Sequence, residues 1–348
     1  MAVTRYCKRT YLEDQRIFAA PSAKLFLALF LVLLALLPVF AGSYVLVVAC
    51  LCGLAVIAAL GMNILTGYTG QLSLGHAAFM ALGGYTAALL AKHYHMPFEA
   101  NIVLSGAMAA VAGLVVAVPS LRLKGLYLVI TTMAFQFIVQ YVLLHWGSLT
   151  EGERGIAIRP ASVLGLDLEN RAHQFYSVLF LAALAAIFTK NLAMSRTGRA
   201  FVAVRDHDIA AEVIGVNLAK YKIMSFATSS FLAGVAGCLY AYVYQRITPE
   251  IFTFVVSVEY VAMIIVGGMG TVLGSILGAC FMVLLPQALG LVFGPLTSAY
   301  PAFSNRLGAI NIIAYGGIII FFLIFEPDGL FGIWVRVKNY WKPWPFKY

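Results

Sequence analysis

The sequence has few charged residues and lacks the motifs of the common soluble enzymes. Only 11% of its 348 residues are charged and 62% are hydrophobic, with a mean hydropathy of +0.92. The pattern G-x-x-x-x-G-K-[ST] is absent, and the dipeptide Gly-Lys never occurs, so the chain has no recognisable phosphate loop for ATP hydrolysis. H-E-x-x-H and G-x-S-x-G are absent too. These absences disfavour an enzyme, and the composition predicts a polytopic membrane protein.

Cysteine is scarce and charge is unevenly distributed. Four of the five cysteines lie inside apolar segments, and Cys7 is the exception. Their spacing is not typical of disulfide frameworks or zinc sites. We therefore expect no metal and no cofactor. The net charge of +9 is interpreted first as a topological signal of a membrane protein, not as a sign of nucleic-acid binding.

The apolar runs predict an all-α fold with about ten transmembrane or re-entrant helices, since a crossing helix needs about 20 residues. The predicted spans are 25–40, 44–63, 70–91, 101–118, 125–146, 173–190, 223–245, 251–266, 272–293 and 309–325. The segment 251–266 is short for a crossing. Residues 1–24 do not resemble a cleaved signal peptide, because no small-residue cleavage site follows the first apolar run.

The distribution of lysine and arginine predicts an orientation. With both termini inside, most basic residues face the cytoplasm, as the positive-inside rule requires. Keeping the short span is necessary to place the basic C-terminal tail on that side. The predicted organisation is a cytoplasmic N-terminal segment (1–24), a transmembrane domain (25–330) with an external loop at 147–172 and a cytoplasmic loop at 190–222, and a cytoplasmic tail (331–348).

Two predicted spans contain glycine clusters that favour broken helices. Gly67 and Gly70 interrupt the segment 62–84, and Gly267 and Gly268 interrupt the segment 251–279. Glycine costs about 1 kcal/mol relative to alanine in a helix, and half-helix ends are common binding sites in transporters. These four glycines are candidates for a substrate pathway. Close helix packing is the alternative, and we favour it for Gly270, Gly274 and Gly278.

Polar side chains inside the same two spans are further pathway candidates, because an unpaired polar group in hydrocarbon is costly. They are Gln71, Ser73, His76 and Glu259. For His76, a neutral imidazole bonded to a neighbouring helix is the alternative. Glu259 is the sole acidic residue in the predicted spans, and it could instead reach water or cap a broken helix.

The cytoplasmic loop predicts a short helix. Asp206 or Asp208 can act as its N-cap, Ile209 and Val213 share a face, and Gly215 lies where a helix commonly stops. Such a helix could dock on a cytoplasmic partner. An ordinary basic loop resting on anionic lipid headgroups is the alternative.

Four stretches together resemble a known family. They are "NILTGYTGQLSLGHAAFMALGGYTAALL", "LRLKGLYLVITTMAF", "SRTGRAFVAVRDHDIAAEVIGVN" and "VEYVAMIIVGGMGTVLGSILGA". In order and spacing they are similar to the LivM-type permease subunits of bacterial branched-chain amino-acid ABC importers, over roughly residues 44–330. The resemblance implies an inner-membrane protein that pairs with a homologous LivH-type permease, two cytoplasmic ATPases that bind the ATP, and a periplasmic substrate-binding protein.

The resemblance also implies roles for individual residues. The 195–217 stretch would be a coupling helix for the ATPase, with Arg199, Arg205, Ala210, Ala211 and Gly215 as contact or turn residues. Tyr127 and Thr131 become further candidates for the pathway.

The external stretch "TEGERGI" departs from the family pattern at Glu151, Glu153 and Arg154, which leaves the cargo open among branched-chain amino acids, urea, amides and aromatic or short carboxylates. A stand-alone secondary transporter or channel with a Glu259–His76 proton relay is the competing function.

Overall fold

The chain was analysed as a computed structural model, which describes residues 32–123, 125–158, 162–163, 166–299, 307–326 and 328–341. The predicted N-terminal segment 1–24 lies outside these residues, as do Lys342 and Lys347 of the predicted tail. The described part of the first predicted span, 32–40, is helical.

The described chain is almost entirely helical, as predicted. In order, its longer elements are α1 (Ser43–Met62), continued by a π-helix (Asn63–Tyr68), α2 (His76–Tyr94), α3 (Phe98–Ser120), α4 (Leu126–His145), the single turn α5 (Gly147–Thr150), α6 (Arg171–Met194), α7 (Arg196–Asp206), α8 (Asp208–Val213), α9 (Leu218–Tyr244), α10 (Phe254–Gly267), α11 (Val272–Ala299), α12 (Leu307–Phe325) and α13 (Gly329–Trp341). Two 3₁₀ turns lie at Gly152–Arg154 and Pro249–Ile251.

Strands are minimal and lie outside the helical bundle. They are β1 (Ile156–Ala157), β2 (Ser162–Val163), β3 (Leu166–Asp167) and β4 (Arg246–Ile247). β1 pairs antiparallel with β4, and β2 pairs antiparallel with β3. The first pair ties the predicted external loop to the end of α9.

Seven helices of the described part are long and apolar enough to cross a membrane. They begin at Ser43, Phe98, Leu126, Arg171, Leu218, Pro249 and Val272. The predicted span 70–91 is not among them. Residues 70–75 are not helical, and the helix that follows, α2, starts only at His76. The non-helical stretch begins with Gly70, whose left-handed φ of +69° an α-helix excludes.

The core of the bundle forms around α9, which packs against α1, α2 and α3. Glycines make the crossing with α2 very close. A Cβ added at Gly237 would overlap the carbonyl oxygen of Met80, and one at Gly83 would overlap the backbone of Gly234. Small residues at such crossings let two backbones approach, which is a principal source of helix association in membranes.

The connecting segments sort to two opposite ends of the bundle. At one end, the loop after the π-helix lies against α7, and Gly268 lies against the backbone of Asp328. At the other end, Lys92 forms an ion pair with Glu151, and the segments 156–157 and 246–247 pair. This sorting fits the prediction that consecutive spans from α1 onward run in alternating directions.

The stretch "TEGERGI" divides into buried and exposed residues. Thr150 is buried and donates its hydroxyl to the carbonyl oxygens of Leu143 (2.7 Å) and Trp146 (2.8 Å), which completes the end of α4. Glu151, Glu153 and Arg154 are exposed. The three residues that depart from the family pattern therefore form part of the outer surface at this end, whereas Thr150 is structural.

Candidate functional site

The first helix break follows α1. The π-helix Asn63–Tyr68 is fully buried, and the backbone leaves it at Gly70, whose left-handed φ of +69° favours glycine. Thr66 donates its hydroxyl to the carbonyl oxygen of Gln71 (3.1 Å), and Thr69 donates to that of Leu65 (2.6 Å). The backbone groups released by the break are thus bonded within the protein, as a non-helical segment at membrane depth requires.

The second break separates α10 from α11. Gly268 and Gly270 have φ angles of +115° and +76°, a conformation that side chains with a Cβ rarely adopt. Thr271 donates its hydroxyl to the Gly268 carbonyl (2.9 Å) and accepts the Gly274 amide (3.1 Å), so it acts as the N-cap of α11.

Close packing explains only part of this glycine cluster. A Cβ at Gly274 would lie 2.6 Å from the Gly267 carbonyl oxygen, and one at Gly278 would lie 2.8 Å from the Gly267 nitrogen. These two glycines pack α11 against α10, as predicted. Gly270 does not belong to that face, because it lies in the break itself, beside Gly67 and Arg205.

The two breaks meet at Asn63. Its side chain is fully buried, accepts a hydrogen bond from the Gly270 amide (2.8 Å) and donates one to the Thr271 carbonyl (3.2 Å). A Cβ at Gly67 would lie 2.7 Å from the Gly270 nitrogen. One amide side chain therefore clamps the π-helix to the glycine turn some 200 residues later in the chain.

Arg205, at the end of α7, reaches this junction from outside the bundle. Its Nη1 donates to the Gly67 carbonyl (2.9 Å), while its Nε donates to the Asp206 carboxylate (3.0 Å). A Cβ at Gly70 would lie 2.9 Å from the Arg205 Cγ. We call Asn63, Gly67, Gly70, Arg205 and Gly270 the break junction. α7 is thus directly bonded to a distorted helix inside the bundle.

The helix predicted in the cytoplasmic loop is present as α8. A single extended residue, His207, separates it from α7. Asp208 begins α8, and Gly215 follows it with a φ of +91°, as expected of a C-terminal glycine. The large apolar side chains of this segment face outward, and the exposed fractions are 69% for Ile209, 82% for Val213 and 76% for Ile214.

Ala210 and Ala211 lie on different faces of α8. Ala210 is exposed, but Ala211 is only 2% exposed and belongs to the contact between α8 and the rest of the chain. In this structure Ala211 packs against the chain itself, and the role of the two alanines in the approach to a partner stays a prediction. Arg199 lies on the exposed side of α7 and donates to the Met194 carbonyl (3.2 Å).

The polar side chains after the first break have partners in the protein. Gln71 donates to the Ser225 hydroxyl (2.9 Å). Ser73 is fully buried, and its hydroxyl accepts the Gly75 amide (3.3 Å). The start of α2 is capped by its neighbours, since Ser257 on α10 accepts the Ala77 amide (2.9 Å). These bonds account for the polar content of an otherwise apolar segment.

His76 is buried between helices. Its Nε2 lies 2.9 Å from the Ala58 carbonyl oxygen on α1 and therefore donates to it. Its ring packs edge-on against the ring of Tyr260, with 5.5 Å between the two ring centroids. The other ring nitrogen, Nδ1, is buried without a partner. This geometry is that of a neutral imidazole bonded to a neighbouring helix.

The remaining predicted pathway residues lie on other surfaces. Glu259 is partly buried on α10. Tyr127 is 71% exposed, and Thr131 donates its hydroxyl to the Tyr127 carbonyl one turn earlier (2.9 Å). The break junction thus brings together Gly67, Gly70 and Gly270. It does not include the predicted pathway residues Tyr127 and Thr131, and Gly267 and Gly268 lie against α11 and Asp328 instead.

Two residues that hold the breaks together, Asn63 and Thr271, were not predicted from the sequence. The sequence signal for Asn63 was an amide side chain in an otherwise apolar run. Within the described ranges, no group of three or more His, Cys, Asp or Glu side chains could hold a metal ion.

Comparison with known proteins identifies relatives. A family model described as "Branched-chain amino acid transport system / permease component" matches residues 44–325. The chain is 31% identical over 331 residues to the "High-affinity branched-chain amino acid transport system permease protein LivM" of Escherichia coli (strain K12). The alignment covers 88% of this chain and 74% of that protein.

Two archaeal relatives extend the comparison. In Methanocaldococcus jannaschii, a "Probable branched-chain amino acid transport permease protein LivM" is 26% identical over 66% of this chain and 66% of its own length. A "Probable branched-chain amino acid transport permease protein LivH" from the same organism is 23% identical over 82% of this chain and 91% of that protein. No solved structure matches the chain significantly.

Proposed function

The chain belongs to the family of branched-chain amino acid transport system permease components, and from that premise we propose that it forms one wall of the translocation path of an ATP-driven importer. It is a multi-pass membrane protein of the permease type, not an enzyme. The proposal concerns how this permease is energised, with which subunits it assembles and what it carries.

The observation that carries the proposal is the connection from α8 to the break junction. α8 exposes Ile209, Val213 and Ile214, a small apolar face suited to a groove on another protein. α7 directly precedes α8 in the chain and is bonded through Arg205 to Gly67 (2.9 Å). A partner that moves α8 would therefore displace the carbonyl of a π-helix, an element that often marks functional sites.

The partner that moves α8 is an ATPase on the cytoplasmic side, with one such subunit for each of two permeases. The chain contains no phosphate loop of its own, so the energy must be supplied by another subunit. Under this proposal both termini lie in the cytoplasm and the protein lies in the inner membrane of a bacterium. The proposal also adds Ile209, Val213 and Ile214 to the predicted contact residues.

Two further partners complete the assembly. The sequence similarity to a LivH protein supports pairing with a homologous second permease across the path. A periplasmic binding protein would deliver cargo at the opposite end, where Glu151, Glu153 and Arg154 are exposed. The names of the relatives favour leucine, isoleucine and valine as cargo, and these three outer charges would contact the binding protein.

The path itself would run along the two broken segments. Broken helices commonly mark substrate paths in transporters, which supports a role for the residues at and beside the two breaks. They are Gly67, Gly70, Gln71, Ser73, His76, Glu259, Gly267 and Gly268, with Tyr127 and Thr131 facing the space that a second subunit would occupy. Affinity along the path should be low, since selection can occur in the binding protein.

The coupling proposal is tested with Val213→Asp, which places a charge on the exposed face of α8 without touching the interior. We expect the ATPases to dissociate from the purified complex and ATP-driven uptake in proteoliposomes to fall by about tenfold or more, the usual loss at an interface hot spot. Leu149→Asp, at the opposite end and 40% exposed, is the matched control and should retain the ATPases. Normal ATPase binding by Val213→Asp would contradict the proposal.

The pathway role of Glu259 has a separate test. If its carboxylate contributes to the path, uptake by Glu259→Gln should differ from wild type in its dependence on pH, because glutamine cannot ionise. A wild-type pH profile would assign Glu259 to packing or capping. The competing proton relay receives no support from His76, whose Nε2 is bonded to the backbone of α1.

A further inference from the structure

The seven spans of the described part carry a single charged side chain away from their ends. Among their lysine, arginine, aspartate and glutamate residues, only Glu259 lies more than five residues from the end of its span. It is the sixth of the 14 residues of α10. Its carboxylate forms no hydrogen bond or ion pair with any described residue. An uncompensated carboxylate at this depth is costly, so a compensating group must come from outside this chain.

Glu259 lies on the outer side of the bundle. It is partly exposed, and its neighbours on α10, Val255 and Val258, are 56% and 36% exposed. α4 flanks this part of α10, since the rings of Phe137 and Phe254 stack with 6.0 Å between their centroids. We call this surface the α4–α10 face. Its members are Phe137, Gln140, Tyr141, Val255, Val258 and Glu259.

A second polar group on the α4–α10 face lacks a partner too. Gln140 lies one turn after Phe137 on α4, is partly exposed and forms no hydrogen bond with the part of the chain that the structure describes. Lipid tails can satisfy neither an amide nor a carboxylate, whereas the helix of another protein can offer hydrogen-bond donors to both. The face therefore fits a protein partner better than lipid.

The charge of Glu259 restricts which protein this partner is. Related subunits commonly pair through matching surfaces around a twofold axis. Two copies of this chain joined through the α4–α10 face would bring two Glu259 carboxylates into one contact, and like charges repel strongly where water is excluded. A homologous chain with a lysine or arginine at the facing position would form an ion pair instead.

We propose that the second permease docks on the α4–α10 face and that Glu259 selects it by pairing with a basic side chain of that subunit. The inference rests on the proposed function for the existence of the second permease. It adds the surface of contact and a reason why the partner is not another copy of this chain, because one residue attracts the correct partner and repels the wrong one. Glu259 also stays beside the path that the two subunits would share.

The first experiment locates the second permease on the complete transporter. A photo-reactive amino acid is placed at Val258, and the complex is irradiated in its membrane. We expect a covalent product between this chain and the second permease. Phe180 is the matched control position, because it is 67% exposed on α6, outside the α4–α10 face, and should react with lipid only. If Val258 also reacts with lipid only, the docking surface is refuted.

The second experiment tests the ion pair by reversing one charge. Glu259→Lys should reduce the amount of second permease that co-purifies with the chain by about tenfold or more, because two cations then meet. Glu250→Lys is the matched control, since it makes the same change at the exposed start of the same span, and it should retain the second permease. Glu259→Gln should give a loss between those of wild type and Glu259→Lys, so the test does not depend on the folding of the lysine variant.

A compensating change distinguishes an ion pair from a merely structural role of Glu259. The basic residues within the spans of the second permease are changed to glutamate one at a time, and each variant is combined with Glu259→Lys. One of these combinations should restore both co-purification and ATP-driven import. If none restores co-purification, the ion pair is refuted.

The outcomes separate this inference from the function on which it rests. If wild type co-purifies with a second permease and imports cargo, but Glu259→Lys and Glu259→Gln retain that subunit fully, the inference is refuted and the importer stands. Loss of transport with full retention would assign Glu259 to the path alone. If wild type recruits no second permease and shows no ATP-driven import, the proposed function fails, and the inference fails with it.

Discussion

Replacing Arg205 should uncouple ATP hydrolysis from transport while the ATPases stay bound. Arg205 lies at the end of α7, and its Nη1 donates to the Gly67 carbonyl of the π-helix at 2.9 Å. Arg205→Gln removes the charge and shortens the side chain, so the guanidinium no longer reaches Gly67. The docking face of α8 is unchanged by this substitution. Movement of α8 would then no longer displace the π-helix.

The size of the effect follows from the geometry of this hydrogen bond. A hydrogen bond from a charged donor contributes about 1.5–3 kcal/mol. The Arg205 side chain is 40% exposed, so screening by water reduces this to roughly 1–2 kcal/mol. If that energy favours the coupled movement, its loss should lower the amount of cargo imported per ATP by about 5- to 30-fold. Arg205→Lys should be only partly active, because an ammonium group lacks the planar fork that binds Gly67 and Asp206 together.

The assay measures uptake and ATP hydrolysis in the same proteoliposomes and takes their ratio. Arg196→Gln is the matched control, because Arg196 is exposed at the opposite end of α7 and the same charge is removed there. Its ratio should equal that of wild type. The reasoning is refuted if Arg205→Gln transports as many molecules per ATP as wild type, since the bond to Gly67 would then carry no coupling.

Three further predictions test the structure around this site. Gly237→Ala should lower the melting temperature of the purified chain, at an overpacking cost of about 1–3 kcal/mol, because its Cβ overlaps the backbone of α2; Gly290→Ala, with open space around it, should not. Asn63→Ala leaves the partly buried Gly270 amide and Thr271 carbonyl of the second break without this partner, at a cost of about 1 kcal/mol, and amide hydrogen exchange should become faster at that break. Finally, the hydrogen bond from Lys92 lowers the pKa of Glu151, so a carboxyl titration by NMR should give a value below the usual one of about 4.3, and the pKa should rise in Lys92→Met.

The sequence was sufficient to predict the class of fold and the positions of the two breaks. Long apolar runs determine membrane spans because the bilayer has a fixed thickness. Clustered glycines at 67–70 and 267–270 interrupt helices because left-handed or otherwise irregular backbone is most accessible to glycine. The predicted start of the third span at residue 70 was wrong by six residues, since hydropathy does not register a non-helical stretch whose polar groups are bonded by neighbouring helices.

The assembly of the site could not be predicted from one sequence. Asn63 and Gly270 are 207 residues apart, and no local pattern reports a contact at that separation. The orientation of α8 was also beyond reach, because a six-residue helix is too short for its period to show which face is inside. Ala211 was therefore predicted as a contact residue for a partner, although in the structure it is buried against the chain.

The most direct test of the importer assignment is transport by the purified components. The chain, reconstituted with a second permease, the ATPases and a cargo-loaded binding protein, should import a branched-chain amino acid only when ATP is supplied, and the chain alone should import none. Uptake by the isolated chain, driven by a proton or sodium gradient without ATP, would contradict the account and establish a secondary transporter instead.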